Sequence, residues 1–316
     1  MVCAIIVILK ITEKGNNMKK RIFAIFLSAL MLFAGCAKEE ETDNIKVVAT
    51  LFPQYDFVRE IGKDKVQVEL MLPPGADSHS YEPTPKEIME IANSDIFVYT
   101  GNDMEPWISK IINGIGKDKL NILDVSEGVN LILDEHKEHN HNKDPHIWTS
   151  PVNAIKMCEN IVDGLIKADE KNKDFYLNNF HEYKVKLEKL DKDFKNTVEN
   201  GKRKKIVFGG KFALNYFVKE YGISVVSAYE NCQDNSEPGA RQMADIVNII
   251  KEENIPVIYY EELSNPKVSR TLSEETGVEI LLFHSCHNLS KDDFISGKTY
   301  LDIMNDNLIN LKRGLM

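Results

Sequence analysis

The spacing of apolar residues divides the chain into short strands and amphipathic helices. Ile45-Lys46-Val47-Val48-Ala49-Thr50 reads as a strand leading into Phe52-Pro53, and Tyr55 to Ile61 as a helix closed by Gly62. Val66 to Leu72 alternates apolar and polar positions, as a half-buried strand does. A helix opens at Thr84-Pro85: Thr84 caps it, Pro85 occupies the first turn, and Glu87 stands at the capping-box position. Ile96 to Thr100 is a short apolar strand followed by Gly101. This alternation predicts a parallel α/β domain. The second half repeats it, with strands at Lys205–Phe208, Ile223–Ser227, Val257–Tyr260 and Glu279–Phe283 and a helix over Gln242–Ile250. Between the halves Tyr176, Phe180, Tyr183, Leu187, Leu190, Phe194 and Val198 recur every three or four residues. That stripe predicts an amphipathic helix of roughly 28 residues, about 42 Å long at 1.5 Å per residue. The expected fold class is α/β: two similar lobes, each a mostly parallel sheet flanked by helices, joined by one long spine helix. The lobes are placed at 45–168 and 202–316, with the connecting helix at 169–201.

The N-terminus follows a different pattern. Lys19, Lys20 and Arg21 precede an apolar run from Ile22 to Phe33, too short for a membrane span. Phe33-Ala34-Gly35-Cys36 then looks like a bacterial lipobox, with Phe33 where leucine is usual and Cys36 as the acylated residue. Residues 1–35 are read as a signal segment, with the lipoprotein signal peptide at 18–35 and Met18 as the start. Residues 36–44 are read as a lipidated tether. The mature chain is expected on the extracytoplasmic face of a bacterial cell membrane, held by lipid on Cys36. About 280 residues remain, enough for two domains of ordinary size. The net charge of −10 excludes a nucleic-acid partner from the expectations, and a monomer is expected. Of five cysteines, Cys158, Cys232 and Cys286 lie in the mature lobes, and no CxxC spacing occurs. Cys158 falls within a helical pattern and reads as a small buried hydrophobe. Cys232 and Cys286 are left with three readings: a disulfide, two free thiols, or part of a metal site.

Two histidines sit in loops bracketed by prolines. One is His79 in Pro73-Pro74-Gly75-Ala76-Asp77-Ser78-His79-Ser80-Tyr81-Glu82-Pro83; the other is His146 in Asp144-Pro145-His146-Ile147-Trp148-Thr149-Ser150-Pro151. Proline fixes φ and restricts the residue before it, so each imidazole is held in advance of any ligand. Two such imidazoles, far apart in sequence, are what a transition-metal site assembled by the fold requires. The charged run from Glu135, with His136, His139 and His141, reads as a solvated loop over 135–143 that gathers metal weakly. His181 lies on the long helix and reads as a surface residue.

These segments resemble the metal-binding lipoproteins of zinc and manganese ABC importers, the solute-binding proteins with a rigid helix between two lobes. Ser236-Glu237-Pro238, Asn265-Pro266-Lys267 and Glu274-Glu275-Thr276-Gly277 also resemble motifs of that family. The resemblance implies a metal in the cleft between the lobes, with four ligands. The first two carry over to His79 and His146. The third place, in Gly210-Lys211-Phe212-Ala213, is held by Lys211, a poor ligand that repels a dication. The fourth, usually an aspartate after a strand, reads His284 in Phe283-His284-Ser285-Cys286-His287. The remaining candidates are His287, Glu237, Glu261 and Cys286. Exchanging a carboxylate for imidazole moves the site from manganese towards Zn2+.

The expected function is capture of a divalent transition metal, foremost zinc, and its delivery to an ABC permease with its ATPase, without enzymatic chemistry. One alternative is a surface adhesin or metal chaperone without a transport role. Another is a zinc hydrolase with Glu261 or Glu237 as base, although no HExxH-type motif is present.

Overall fold

The computed structural model describes residues 44–116, 120–133, 143–229, 232 and 236–316. The signal segment, Cys36, the tether as far as Asp43, and residues 135–142 of the histidine-rich run lie outside the described residues. In chain order the elements are β1 (Ile45–Ala49), α1 (Phe52–Gly62), β2 (Val66–Leu70), α2 (Pro85–Ala92), β3 (Ile96–Tyr99), α3 (Ile108–Ile115), β4 (Asn121–Asp124), α4 (Pro151–Ala168) and α5 (Lys173–Glu199). They continue with β5 (Lys205–Phe208), α6 (Asn215–Tyr221), β6 (Ser224–Ser227), α7 (Ala240–Glu252), β7 (Val257–Tyr260), α8 (Lys267–Thr276), β8 (Glu279–Leu282), α9 (Lys291–Ser296) and α10 (Tyr300–Leu315).

The strands form two four-stranded sheets, ordered β2-β1-β3-β4 and β6-β5-β7-β8, with every pairing parallel. The order is the same in both, with the first and third strands of each lobe central and the second and fourth at the edges. Local chemistry sets the helix starts. Thr84 Oγ1 accepts from the Glu87 amide at 3.3 Å, and the Glu87 carboxylate accepts from the Thr84 amide at 2.6 Å, which closes the capping box of α2. Ser150 Oγ caps α4, with Pro151 in its first turn.

The long helix α5 has 27 residues, and all seven apolar positions of its predicted stripe are buried. It packs against α1 and α4 of the first lobe and α6 and α10 of the second. The apolar stripe therefore belongs to both cores at once. Fully burying a side chain of this size contributes about 1.5–3 kcal/mol, so the stripe is a large share of what holds the lobes in register. Hydrogen bonds also cross between them. Trp148 Nε1 donates to the Ser285 carbonyl at 2.8 Å, and Tyr300 Oη donates to the Trp148 carbonyl at 2.7 Å. The Tyr300 amide donates to Asp56 Oδ2 at 2.8 Å.

The carboxyl ends of the central strands β1 and β3 are closed by a buried polar network. Thr50 Oγ1 donates to Glu105 Oε1 at 2.5 Å, and the Thr100 amide donates to the same carboxyl at 3.2 Å. Gln54 joins through Thr100 and the Leu51 amide. Burial raises the Glu105 carboxyl to about 8, outweighing these bonds, and raises Asp56 to about 7.

Two outcomes follow. Leu187→Ala, in the middle of the α5 stripe, should cost about 2–5 kcal/mol, read as a lowered denaturant midpoint; a cost near zero would show that the lobes do not depend on the stripe. The raised Glu105 and Asp56 carboxyls bind their protons more tightly folded than unfolded. Their contribution to stability is therefore complete below the ordinary values of 4.5 and 3.8 and is lost as pH rises through about 7 and 8. Glu105→Gln should flatten the fall in melting temperature across that window, and a variant whose profile parallels the parent's would contradict it.

Candidate metal centre

The same local device holds both proline-bracketed histidines. Asp77 Oδ1 accepts from the His79 amide at 2.8 Å, and Asp144 Oδ1 accepts from the His146 amide at 2.9 Å. Each aspartate closes a turn two residues before its imidazole. Asp144 does more: its Oδ1 lies 2.7 Å from His146 Nδ1, and its Oδ2 accepts from Asn215 Nδ2 at 2.8 Å. A carboxylate on one ring nitrogen fixes the ring and leaves the other as a donor. The loop carrying His79 is gripped by the second lobe. Asn288 Nδ2 donates to the carbonyls of Pro73 at 2.7 Å and Ala76 at 3.0 Å, and the Gly75 amide donates to the Leu289 carbonyl at 2.8 Å.

These supports bring His79 and His146 together with Cys232, which follows β6. His79 Nε2 and His146 Nε2 are 3.4 Å apart; Cys232 Sγ is 3.3 Å from the first and 3.6 Å from the second. Among the described residues these three form the group of histidine, cysteine and acidic side chains whose donor atoms all lie within 4.8 Å of one another. The edges of a zinc tetrahedron with bonds of 2.0–2.3 Å are about 3.3–3.6 Å, so the spacing matches such an ion.

His287, in the loop after β8, lies beside this group. Its ring centroid is 4.5 Å from that of His146 and 5.3 Å from that of His79. Its Nε2 is buried and has no hydrogen-bond partner in the protein. An unpaired buried nitrogen costs about 1–3 kcal/mol unless something binds it. The loop is also strained: Cys286, between Ser285 and His287, has φ of +62°.

His284, Glu237, Glu261 and Cys286, also expected as ligands, are not part of the three-residue group. His284 Nδ1 accepts from the Cys286 amide at 2.9 Å, which in the neutral ring places the proton on Nε2 and leaves that nitrogen without a lone pair to offer. Glu237 is exposed and paired with Lys267 at 2.7 Å. Glu261 lines the same cavity of about 250 Å³ as His79, Cys232, His287, Lys211 and Glu262. It packs against Gly210, where an added Cβ would meet Glu261 Oε2 at 1.6 Å. Cys286 is buried, and Cys158, Cys232 and Cys286 are all free thiols. In sequence Cys232 could be read as a disulfide partner of Cys286, a free thiol or part of a metal site, with nothing local to choose among them.

The family model for the periplasmic zinc-uptake complex component A, ZnuA, matches residues 47–314. The chain belongs to the ZnuA family. It is 34% identical over 309 residues to the high-affinity zinc uptake system protein ZnuA of Bacillus subtilis, covering 92% of this chain and 96% of that one. Its fold is similar to the metal-dependent lipoprotein YcdH of Bacillus subtilis, with a TM-score of 0.77 and 35% identity over 86% of this chain and 99% of that one. The Zn(II)-bound ZnuA-like domain of Streptococcus pneumoniae AdcA superposes with a TM-score of 0.74 and 30% identity, again over 86% and 99%. Among the described residues no helix is long and apolar enough to cross a membrane.

Within this ZnuA-family fold the donors are strongly coupled. Burial opposes charge on His146, but Asp144 and the Cys232 thiolate outweigh it and raise the imidazole to about 10. Burial likewise opposes the Cys232 thiolate, yet His146 and His79 pull the thiol down to about 6. His287 is pushed well below the ordinary histidine value by burial and by the neighbouring imidazoles. Cys158 and Cys286, fully buried, are pushed well above the ordinary thiol value. In metal-free protein, iodoacetamide should therefore label Cys232 with a midpoint near pH 6 and leave Cys158 and Cys286 unlabelled until the chain unfolds. A midpoint near 9 would mean the thiolate has no imidazolium partner.

Proposed function

We propose that this chain captures Zn2+ on the extracytoplasmic side of the membrane and delivers it to an ABC permease with its ATPase. The ligands are His79, His146, Cys232 and His287. The observation that supports this most directly is the donor spacing at His79, His146 and Cys232, which is that of a tetrahedral zinc ion. The fourth donor is the unpartnered Nε2 of His287. Three imidazoles and a thiolate favour zinc over manganese, which prefers oxygen. Four side-chain donors also close the tetrahedron, whereas hydrolytic zinc keeps a position for water. The donors come from both lobes, two from each, so binding draws the lobes together, and α5 with its cross-lobe bonds limits the movement. Cys36 carries the lipid that holds the chain at the membrane, and the histidine-rich run gathers metal at lower affinity than the cleft.

The mature chain from Ala37, stripped with chelator, tests the reading when titrated with zinc and with manganese against a chromophoric competitor. One tight zinc site is expected, with manganese much weaker. Cys232→Ser and His287→Ala should each weaken zinc by about 100-fold or more, while His284→Gln stays near the parent. Variants at Cys232 and His287 that bind like the parent, beside a large loss at His284, would overturn this ligand set. Binding should weaken as pH falls, since zinc must displace protons from His146 and the thiol.

A further inference from the structure

The loop after β8 contains a chain of polar atoms that the ligand set does not use. Glu262, just past β7, has a side chain only 8% exposed. Its carboxylate accepts from the Ser285 amide at 2.7 Å, from Ser285 Oγ at 2.5 Å, and from the His287 amide at 3.3 Å. Ser285 Oγ also lies within hydrogen-bond reach of His287 Nδ1. From His287 Nδ1 to the carboxylate itself the distance is 3.9 Å, too long for a direct bond. The hydroxyl is therefore the only bridge between the imidazole and the acid among these contacts.

We propose that Glu262 and Ser285 form a positioning relay that holds His287 with its proton on Nδ1 and turns the Nε2 lone pair to the cargo ion. This inference rests on the zinc-binding reading above. It follows from proton counting. A serine hydroxyl has one hydrogen. The short contact with the carboxylate takes that hydrogen, so the oxygen presents a lone pair to the imidazole. Nδ1 must then be the donor. A neutral imidazole has one N–H, which leaves Nε2 as an acceptor, and Nε2 is the buried nitrogen without a protein partner. His146 is oriented more simply, with Asp144 directly on its Nδ1 at 2.7 Å. The two imidazoles are thus oriented by acids at different removes, one by direct contact and one through a hydroxyl.

His284 is bound to the Cys286 amide, with its Nδ1 3.5 Å from Glu262 Oε2. The acid beside this loop thus sits past the neighbouring strand β7, and Ser285 spans the gap from it to His287.

Two measurements test the relay. Long-range 1H–15N spectra of the metal-free protein should show His287 as the Nδ1–H tautomer, changing to Nε2–H or to a mixture in Ser285→Ala. An Nε2–H tautomer in the parent would overturn the proposal without any metal present. Zinc competition titrations should then show a loss of about 10–100-fold for Ser285→Ala and for Glu262→Gln, with Ser285→Thr close to the parent. In a His287→Ala background, Ser285→Ala should cause no further loss. An undiminished loss there would show that Ser285 acts on the fold and not through His287, and a silent Ser285→Ala would also refute the relay. Parent protein that binds no zinc, or binds it equally after His79→Ala, would count against the functional reading and leave the tautomer result standing by itself.

Discussion

The arrangement at the candidate metal centre depends on the placement of one lobe against the other, because His79 and His146 come from one lobe and Cys232 from the other. Trp148 is the hinge pin of that placement. It lies two residues after His146, is fully buried, and is bonded to the second lobe through both its indole nitrogen and its carbonyl. Asn288 does the same from the other side by holding the carbonyls of the His79 loop. Each loses water on burial and regains hydrogen bonds only if the lobes meet at one spacing. The α5 stripe is buried in both cores, but apolar contact is non-directional. It is the polar pins that fix the spacing to the few tenths of an ångström that coordination needs.

The topology explains where the donors are found. In an open parallel sheet, ligands sit beyond the carboxyl ends of the strands. The four proposed donors all follow edge strands: β2, β4, β6 and β8. In the first lobe, the crevice between the central strands is filled by Thr50, Gln54, Thr100 and Glu105. The same crevice that binds a nucleotide in other doubly wound folds is spent here on internal satisfaction. The ion is left to the longer loops at the margins, which can reach across to the facing lobe.

Much of this was legible in the sequence. Every strand read from apolar runs is present, the Thr84 capping box forms as its spacing predicts, and the α5 stripe is buried at each position named. His79 and His146 were visible because prolines bracket them. The pairing of His146 with Asp144 was implicit in Asp144-Pro145-His146, since an aspartate two residues before a histidine can close a turn on it. The rest of the centre was hidden for a physical reason. Between His284 and His287 the proposed choice turns on the role of each Nδ1, which accepts from the Cys286 amide in His284 and faces the Ser285 hydroxyl in His287. No local pattern encodes either. Cys232 stands alone in its segment, and only the fold brings it to two histidines.

That left-handed residue has a wider consequence. A cysteine at φ +62° is held about 1–2 kcal/mol above a relaxed conformation, beside an imidazole nitrogen that is buried and unsatisfied. A cation that takes that nitrogen as a ligand removes its desolvation cost and leaves the backbone strain where it is. A partner that must accept laden carriers and pass over empty ones needs some difference between them to recognise. In a molecule whose lobes are pinned by α5, Trp148 and Asn288, that difference cannot be a wide opening. The turn after β8, where backbone strain and an unmet bond sit side by side, is the place in this structure where loading changes the local balance most directly.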